Sequence, residues 1–175
     1  MAALLLLLTG ITLSLIALQD FRSRAVSGFL FPLLAVCGLG LAIIELRSVW
    51  LAMQYILFNG GFLLLQFVLL KAWFVLRKKG KSVLIDHAIG RGDIFFLLAA
   101  GCFFSPFNFI LFYLLSLLFA LAIALAVRGW PVLAARWSTI PLAGLQAGFL
   151  LICLSLHLLL KQPLTNDNWM IPKLT

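Results

Sequence analysis

Acidic residues are scarce in this sequence, and two of them stand where an apolar run meets polar residues. Asp20 ends the first apolar run, and Asp93 opens a later run as the last residue of Gly90-Arg91-Gly92-Asp93. Ionisable side chains at such a boundary are costly, face the interior of a helix bundle and often mark function. Asp20 and Asp93 are therefore the candidate catalytic residues. The complete set of acids is Asp20, Glu45, Asp86, Asp93 and Asp167.

Two carboxyl groups that converge from different helices can activate water for peptide hydrolysis. Because neighbouring carboxyl groups cannot easily both ionise, they share one proton. The ionised group takes a proton from water, while the protonated group hydrogen-bonds to the scissile carbonyl oxygen. Coupled groups titrate as a pair, so neither aspartate is assigned the acid or the base role. This chemistry requires no metal and no cofactor, and none is predicted.

The residues around the two aspartates allow a functional and a structural interpretation. Gly90 and Gly92 lack Cβ atoms, so they would let a partner helix or a substrate strand approach Asp93 closely. In the structural interpretation, Asp20 forms an interfacial ion pair with the arginines that follow it. Asp93 is then a helix N-terminal residue favoured by the helix dipole. Spacing alone favours neither interpretation.

The remaining polar residues are predicted to have simpler roles. Glu45 lies beside Arg47 at a helix end and Asp167 lies in a polar tail, so both are expected to be solvated charges. Asp86, the one other candidate for a second carboxylate, is expected to be a loop residue. Residues predicted to pack or hydrogen-bond between helices are Gln54, Asn59, Gln66, Gly144, Gly148 and His157.

Transmembrane helices must position these residues. Of the 175 residues, 65% are hydrophobic and 10% are charged, and the mean hydropathy of +1.19 excludes a water-soluble enzyme. A span of about 20 apolar residues crosses a hydrocarbon core of roughly 30 Å, and the runs lack the alternation of a membrane β-barrel. The sequence predicts one all-α polytopic membrane domain over residues 1–175, a bundle of about six helices. The predicted spans are Ala2–Leu18, Phe29–Ile44, Val49–Leu70, Asp93–Phe104, Phe107–Val127 and Ile140–Leu160.

Basic residues predict the orientation of the bundle. The chain has 13 Lys and Arg against 5 Asp and Glu, a formal net charge of +8, and basic residues are retained preferentially in the cytoplasm. One side of the membrane holds Arg22, Arg24, Lys71, Arg77, Lys78, Lys79, Lys81, Arg91, Arg128 and Arg136, and the other holds Arg47, Lys161 and Lys173. Both termini are therefore predicted to face outward, with the two aspartates at the cytoplasmic face. The positive charge indicates topology and contact with membrane lipid, and no nucleic-acid partner is predicted.

Three segments together resemble the type IV prepilin peptidases, a family of Gly-x-Gly-Asp membrane aspartic peptidases. They are Asp20-Phe21-Arg22, Gly90-Arg91-Gly92-Asp93 and Ile140-Pro141-Leu142-Ala143-Gly144. By this resemblance Asp20 and Asp93 are the catalytic residues, Gly90 and Gly92 are the motif glycines, and Arg22 and Arg91 are candidate supports for the site or the substrate. The resemblance implies a peptidase of the bacterial or archaeal cytoplasmic membrane. Its substrates would be pilin-like precursors, prepilins or pseudopilins, cleaved between a basic leader and a hydrophobic N-terminal helix.

The sequence also departs from the pattern of that family. Val26-Ser27-Gly28 replaces the usual Ile-Pro-Asn, and Phe95 stands where a Lys is frequent. The chain has no C-x-x-C pair and no room for the cysteine-containing loop of relatives that also methylate the new N-terminus. The resemblance therefore implies a short form that has peptidase activity alone.

Two other functions are consistent with the sequence. The lost Pro-Asn and Lys positions are compatible with a catalytically inactive scaffold of pilus or secretion assembly. A small proton-coupled transporter would use Asp20 and Asp93 as relay groups. It would need carboxylates near the bilayer midplane and polar residues along a path. The sequence offers few such polar residues, so peptidase is the leading interpretation.

Overall fold

The computed structural model describes residues 1–76, 90–128, 141–160 and 163–166. These residues form six α-helices and contain no strand, so the predicted all-α fold is confirmed. The helices are α1 (Ala2–Ser23), α2 (Leu30–Leu46), α3 (Val49–Leu76), α4 (Arg91–Ala100), α5 (Pro106–Arg128) and α6 (Leu142–Leu160). Four of them, α1, α3, α5 and α6, contain stretches long and apolar enough to cross a membrane, and α2 is a shorter apolar helix. The chain is thus a multi-pass membrane protein.

One core joins all six helices. α1 packs against α2 and α6, α4 packs against α2, α3 and α6, and α5 packs against α3 and α6. Their apolar side chains interlock in the centre of the bundle. Fully or almost fully buried members are Leu13, Ile16, Leu34, Leu63, Phe96, Phe109 and Leu150. Because the short helix α4 touches three others, its first turn is held in a fixed place relative to α1 and α6.

The fourth helix differs most from its predicted range. The sequence predicts a span over Asp93–Phe104, but α4 ends at Ala100 and has 10 residues. The backbone N–H of Phe103 donates to the carbonyl of Ala100 at 3.0 Å, which begins a tight turn that leads directly into α5. Phe103 and Phe104 are buried in this turn, at 2% and 4% exposure. Apolar residues in a buried turn look like helix in the sequence, which explains the error.

Cross-helix hydrogen bonds form at two of the polar residues predicted in α3. The buried amide of Asn59 donates to the carbonyls of Gly101 and Phe104 at 2.8 and 2.9 Å. Gln66 accepts a hydrogen bond from the hydroxyl of Tyr113 at 3.4 Å. These two predictions are confirmed. The third residue, Gln54, is exposed on the surface of α3.

The prediction that Glu45 is a solvated charge is wrong. Its carboxylate accepts hydrogen bonds from the hydroxyl of Thr165 at 2.7 Å and from the backbone N–H of Thr165 at 3.3 Å. It also lies 3.5 Å from Nε2 of His157. Beside it, Asn108 donates to the carbonyl of Leu164 at 2.8 Å. Residues 163–166 are thereby fixed across the ends of α2, α5 and α6. Asp86 and Asp167 lie outside the described residues.

Candidate active site

Asp20 lies in the last turn of α1 and faces the inside of the bundle. It is only 8% exposed although it is acidic. One carboxylate oxygen, Oδ2, accepts a hydrogen bond of 2.6 Å from the backbone N–H of Gly144 in α6. Arg24, whose φ of 56° ends α1, has a favourable electrostatic interaction with the same carboxylate. The predicted ion pair with the following arginines therefore accounts for only part of the surroundings of Asp20. The closest described partner of its carboxylate is the N–H of Gly144, which lies in another helix.

Asp93 is the third residue of α4 and turns back towards the start of its own helix. The N-cap residue is Gly90, in extended conformation with φ −63° and ψ 131°. Its carbonyl accepts hydrogen bonds from the backbone N–H groups of Asp93 at 3.0 Å and Ile94 at 3.4 Å. The Asp93 carboxylate interacts in return with the backbone N–H of Gly90, which is the return half of a capping box. Local capping thus fixes the direction of this side chain.

The start of α6 brings the two aspartates together. The first N–H groups of a helix have no partner within the helix, and two of them are used here by side chains of other helices. The N–H of Gly144 binds Asp20, and the N–H of Ala143 interacts with the carboxylate of Asp93. Asp20 and Asp93 also interact with each other electrostatically. Carboxylates from α1 and α4 therefore meet at adjacent backbone N–H groups of α6.

The glycines near the site have different reasons to lack a side chain. A Cβ on Gly90 would lie 2.9 Å from Oδ2 of Asp93, so the missing side chain makes room for the carboxylate. A Cβ on Gly92 would have Phe31 as its nearest neighbour, at an ordinary contact distance of 3.8 Å. A Cβ on Gly144 would lie 3.1 Å from Oδ2 of Asp20. Among the described residues, the nearest neighbour of a Cβ at Gly90 is thus Asp93 and not a partner helix. The alternative, close approach by a substrate strand, stays a prediction.

The predicted packing surface of Gly144 and Gly148 is wrong for one of its two members. Around Gly148 a Cβ would meet no atom of the described residues within 4 Å, so none of the six described helices packs closely there. Gly144 does stand at a close contact, but what fills the space is the side chain of Asp20 together with the carbonyl of Ala17. The spacing of small residues predicted a helix contact at both positions; the described helices make one only at Gly144, against α1, and that contact includes Asp20.

A family model for the type IV leader peptidases matches residues 7–125, more than half of the chain. The matched segment contains Asp20, Gly90, Gly92 and Asp93. The chain belongs to the type IV leader peptidase family. No curated protein and no solved structure gives a significant match to the chain. The expected family is confirmed, and the chain is thus a membrane peptidase related to enzymes that process pilin-like proteins. α6, with Ala143 and Gly144, lies beyond the matched segment.

The other predicted site residues of this leader peptidase lie farther out. Arg22 is exposed in the last turn of α1, and Arg91 begins α4, with its side chain outside the described atoms. Phe95, which replaces the frequent Lys, is exposed and stacks on Phe31 with ring centroids 6.1 Å apart. The amide oxygen of Gln19 accepts a hydrogen bond from the N–H of Ser27 at 2.8 Å and shapes the α1–α2 turn.

Sequence reasoning missed the backbone donors of Ala143 and Gly144. A backbone N–H leaves no mark on residue type. The available signals were Pro141, a residue that often stands at a helix start, and the place of Ala143 and Gly144 in one of the three segments that resemble the family. In the part of the chain that the structure describes, the aspartates are not joined by a third His, Cys, Asp or Glu in a metal-binding group. Two carboxyl groups and two backbone N–H donors make up the described site, and the carboxyl groups can bind water and exchange a proton with it.

Proposed function

We propose that this leader peptidase is an aspartic endopeptidase whose catalytic residues are Asp20 and Asp93. Its substrates are pilin-like precursors, and it cuts between their basic leader and their hydrophobic N-terminal helix. It works at the cytoplasmic face of a bacterial or archaeal cytoplasmic membrane. The observation that carries the proposal is the juxtaposition of the Asp20 and Asp93 carboxylates at adjacent N–H groups of α6.

The proposed reaction uses the carboxyl pair for both proton transfers. One carboxylate removes a proton from water, and the resulting hydroxyl attacks the scissile carbonyl carbon. The protonated partner hydrogen-bonds to the carbonyl oxygen and stabilises its developing negative charge. Collapse of the tetrahedral intermediate breaks the C–N bond, and a proton passes to the leaving amine. The buried surroundings of Asp20 support this chemistry, because electrostatic interactions are stronger where bulk water is excluded.

The position of the pair along the helices supports a substrate that lies partly in lipid. Asp20 is close to the C-terminal end of α1, and Asp93 is in the first turn of α4. A site at helix ends can receive a leader from water while the apolar helix of the substrate remains in the membrane. This placement also weighs against a proton-coupled transporter, which would need its carboxylates near the middle of the helices.

Replacement of each aspartate by Asn tests the proposed function. Asp20→Asn and Asp93→Asn each keep the size of the side chain but remove its ability to transfer a proton. In detergent, each variant should process a pilin-like precursor from the same genome at least about 100-fold more slowly than the wild-type protein. The measurement is the initial rate of leader removal on a gel.

Asp86→Asn is the matched control, because Asp86 is the other candidate in the sequence for a second catalytic carboxylate. This variant should retain the wild-type rate. Unchanged processing by Asp20→Asn or Asp93→Asn would exclude the aspartic mechanism. Pilus assembly that persists in a double Asn variant without any processing would instead favour the scaffold.

A further inference from the structure

Helix α6 has no N-cap side chain of its own. The carbonyl of Pro141 accepts the first hydrogen bond of α6, from the N–H of Leu145 at 3.0 Å, so Pro141 occupies the N-cap position. An N-cap residue usually satisfies the N–H of the second or third helical residue with a side-chain oxygen. Pro141 has no such oxygen. The second and third residues, Ala143 and Gly144, instead direct their N–H groups to Asp93 and Asp20.

A side chain at Gly144 would be tightly packed against Asp20 in α1. A Cβ there would lie 3.1 Å from Oδ2 of Asp20, 3.2 Å from its Cβ and 3.4 Å from the carbonyl of Ala17. The first two distances are tighter than most Cβ contacts, so Asp20 would have to shift by a few tenths of an ångström, whereas the third is at the limit of ordinary contact. Gly144 therefore lets the backbone of α6 approach Asp20 closely enough for the 2.6 Å hydrogen bond.

We infer that the first turn of α6 positions the catalytic pair. Ala143 and Gly144 each bind one carboxylate through the backbone, and the helical backbone fixes the separation of these two donors. Gly144 is a positioning residue, because a side chain there would displace Asp20 relative to Asp93 without touching the substrate. This inference rests on the proposed function, in which both aspartates act on one water.

Gly144→Ala tests the positioning role, with Gly148→Ala as the matched control. Both variants make the same chemical change one helical turn apart in α6, but a Cβ at Gly148 meets no atom of the described residues within 4 Å. For Gly144→Ala, kcat should fall about 10- to 100-fold, because misplaced catalytic groups are costly. KM should stay within about twofold, since a positioning residue acts on the aspartates and does not touch the substrate. Gly148→Ala should match the wild-type protein in both constants.

A second pair of variants keeps the test decisive if Gly144→Ala does not fold. Pro141→Ser places a hydroxyl at the N-cap, where it accepts the N–H of Ala143 or Gly144 and takes that donor from its aspartate. Pro141→Ala also removes the proline ring but supplies no side-chain hydrogen-bond acceptor. If this turn has only a structural role, Pro141→Ser, whose helix is better capped, should be at least as active as Pro141→Ala. The positioning role predicts a lower kcat for Pro141→Ser than for Pro141→Ala.

The outcomes separate this inference from the proposed function. A wild-type kcat in a folded Gly144→Ala variant overturns the positioning role, and so does equal kcat in the two Pro141 variants. The aspartic mechanism survives either result if Asp20→Asn and Asp93→Asn are inactive. Unchanged activity in Asp20→Asn or Asp93→Asn would instead exclude the proposed function itself.

Discussion

At the scale of single residues, the two glycines of the Gly-x-Gly-Asp motif have different surroundings. The φ of Gly90 is −63°, a value open to any residue, so conformation does not require glycine at this position. The lack of space favours glycine instead, since a Cβ would lie 2.9 Å from Oδ2 of Asp93. At Gly92 the nearest atom, in the ring of Phe31, leaves ordinary room for a Cβ. Of the two motif glycines, Gly90 is therefore the one that leaves room for the carboxylate of Asp93.

Alanine at each motif glycine should have unequal effects on activity. In Gly90→Ala the Asp93 carboxylate must move, and we expect the rate of precursor processing to fall about tenfold or more. The protein should still fold, because the displaced atoms are the flexible end of a side chain. Gly92→Ala should lose clearly less activity. Initial rates measured with one precursor at equal protein concentration test the difference, and equal losses in the two variants would contradict it.

Residue types alone identified some members of the site and could not identify others. Asp20 and Asp93 stood out because acids are rare in an apolar chain and both fall at a boundary. The donors of Ala143 and Gly144 are backbone atoms, which the sequence does not display. Glu45 was misjudged because its partner Thr165 is distant in sequence and becomes its neighbour only through folding.

At the scale of helices, α3 holds the far end of the helix that carries Asp93. The amide of Asn59 donates to the carbonyls of Gly101 and Phe104, which follow the last turn of α4. Gly101 is the C-cap of α4 and Phe104 lies in the buried turn after it. Backbone carbonyls beyond a helix end lack helical partners, and lipid supplies no hydrogen-bond donors in place of water. Asn59, which is 1% exposed, supplies the missing donors. One side chain of α3 thus stabilises the turn between α4 and α5.

Removal of that amide should lower the stability of the bundle. In Asn59→Leu two buried carbonyls lose their donors, and each unsatisfied group costs about 1–3 kcal/mol. We expect a clearly lower midpoint of thermal unfolding in detergent, followed by far-UV circular dichroism. Gln54→Leu is the control, because Gln54 is exposed on the same helix. Equal midpoints for the two variants would mean that Asn59 does not hold this turn.

Helix ends were harder to predict from sequence than helix existence. The first span was expected to stop at Leu18, yet α1 continues to Ser23 because Asp20 is buried against α6 and remains helical. The third span was expected to stop at Leu70, and α3 continues to Leu76. Polar residues end an apolar span without ending the helix. At Asp20 the contact with α6, which the local sequence does not contain, keeps an acidic residue inside the helix.

At the scale of the whole molecule, the two ends of the bundle are chemically different. α1, α3 and α5 end, and α2, α4 and α6 begin, at the end that carries the aspartates. The opposite end carries the cluster of Glu45, His157 and Thr165. Basic residues are most frequent at the aspartate end. Those in the described helices or next to them are Arg22, Arg24, Lys71, Arg91 and Arg128, against Arg47 at the opposite end.

This asymmetry predicts which end is cytoplasmic. Because Lys and Arg are retained on the cytoplasmic side, the aspartate end should face the cytoplasm, where a basic leader emerges from synthesis. Ser27→Cys, in the exposed turn after α1, reports on that end, and Val49→Cys, 55% exposed at the start of α3, reports on the other. Both substitutions are made after Cys37, Cys102 and Cys153 have been replaced by Ala.

A membrane-impermeant maleimide applied to intact spheroplasts should label Val49→Cys at once. It should label Ser27→Cys only after the membrane has been opened. Retained processing of a precursor in both variants shows that the labelled proteins are folded and inserted as the native chain is. The reverse labelling pattern would put Asp20 and Asp93 at the outer face. Leaders would then have to cross the membrane before cleavage, so the cytoplasmic site would be wrong even if both aspartates are catalytic.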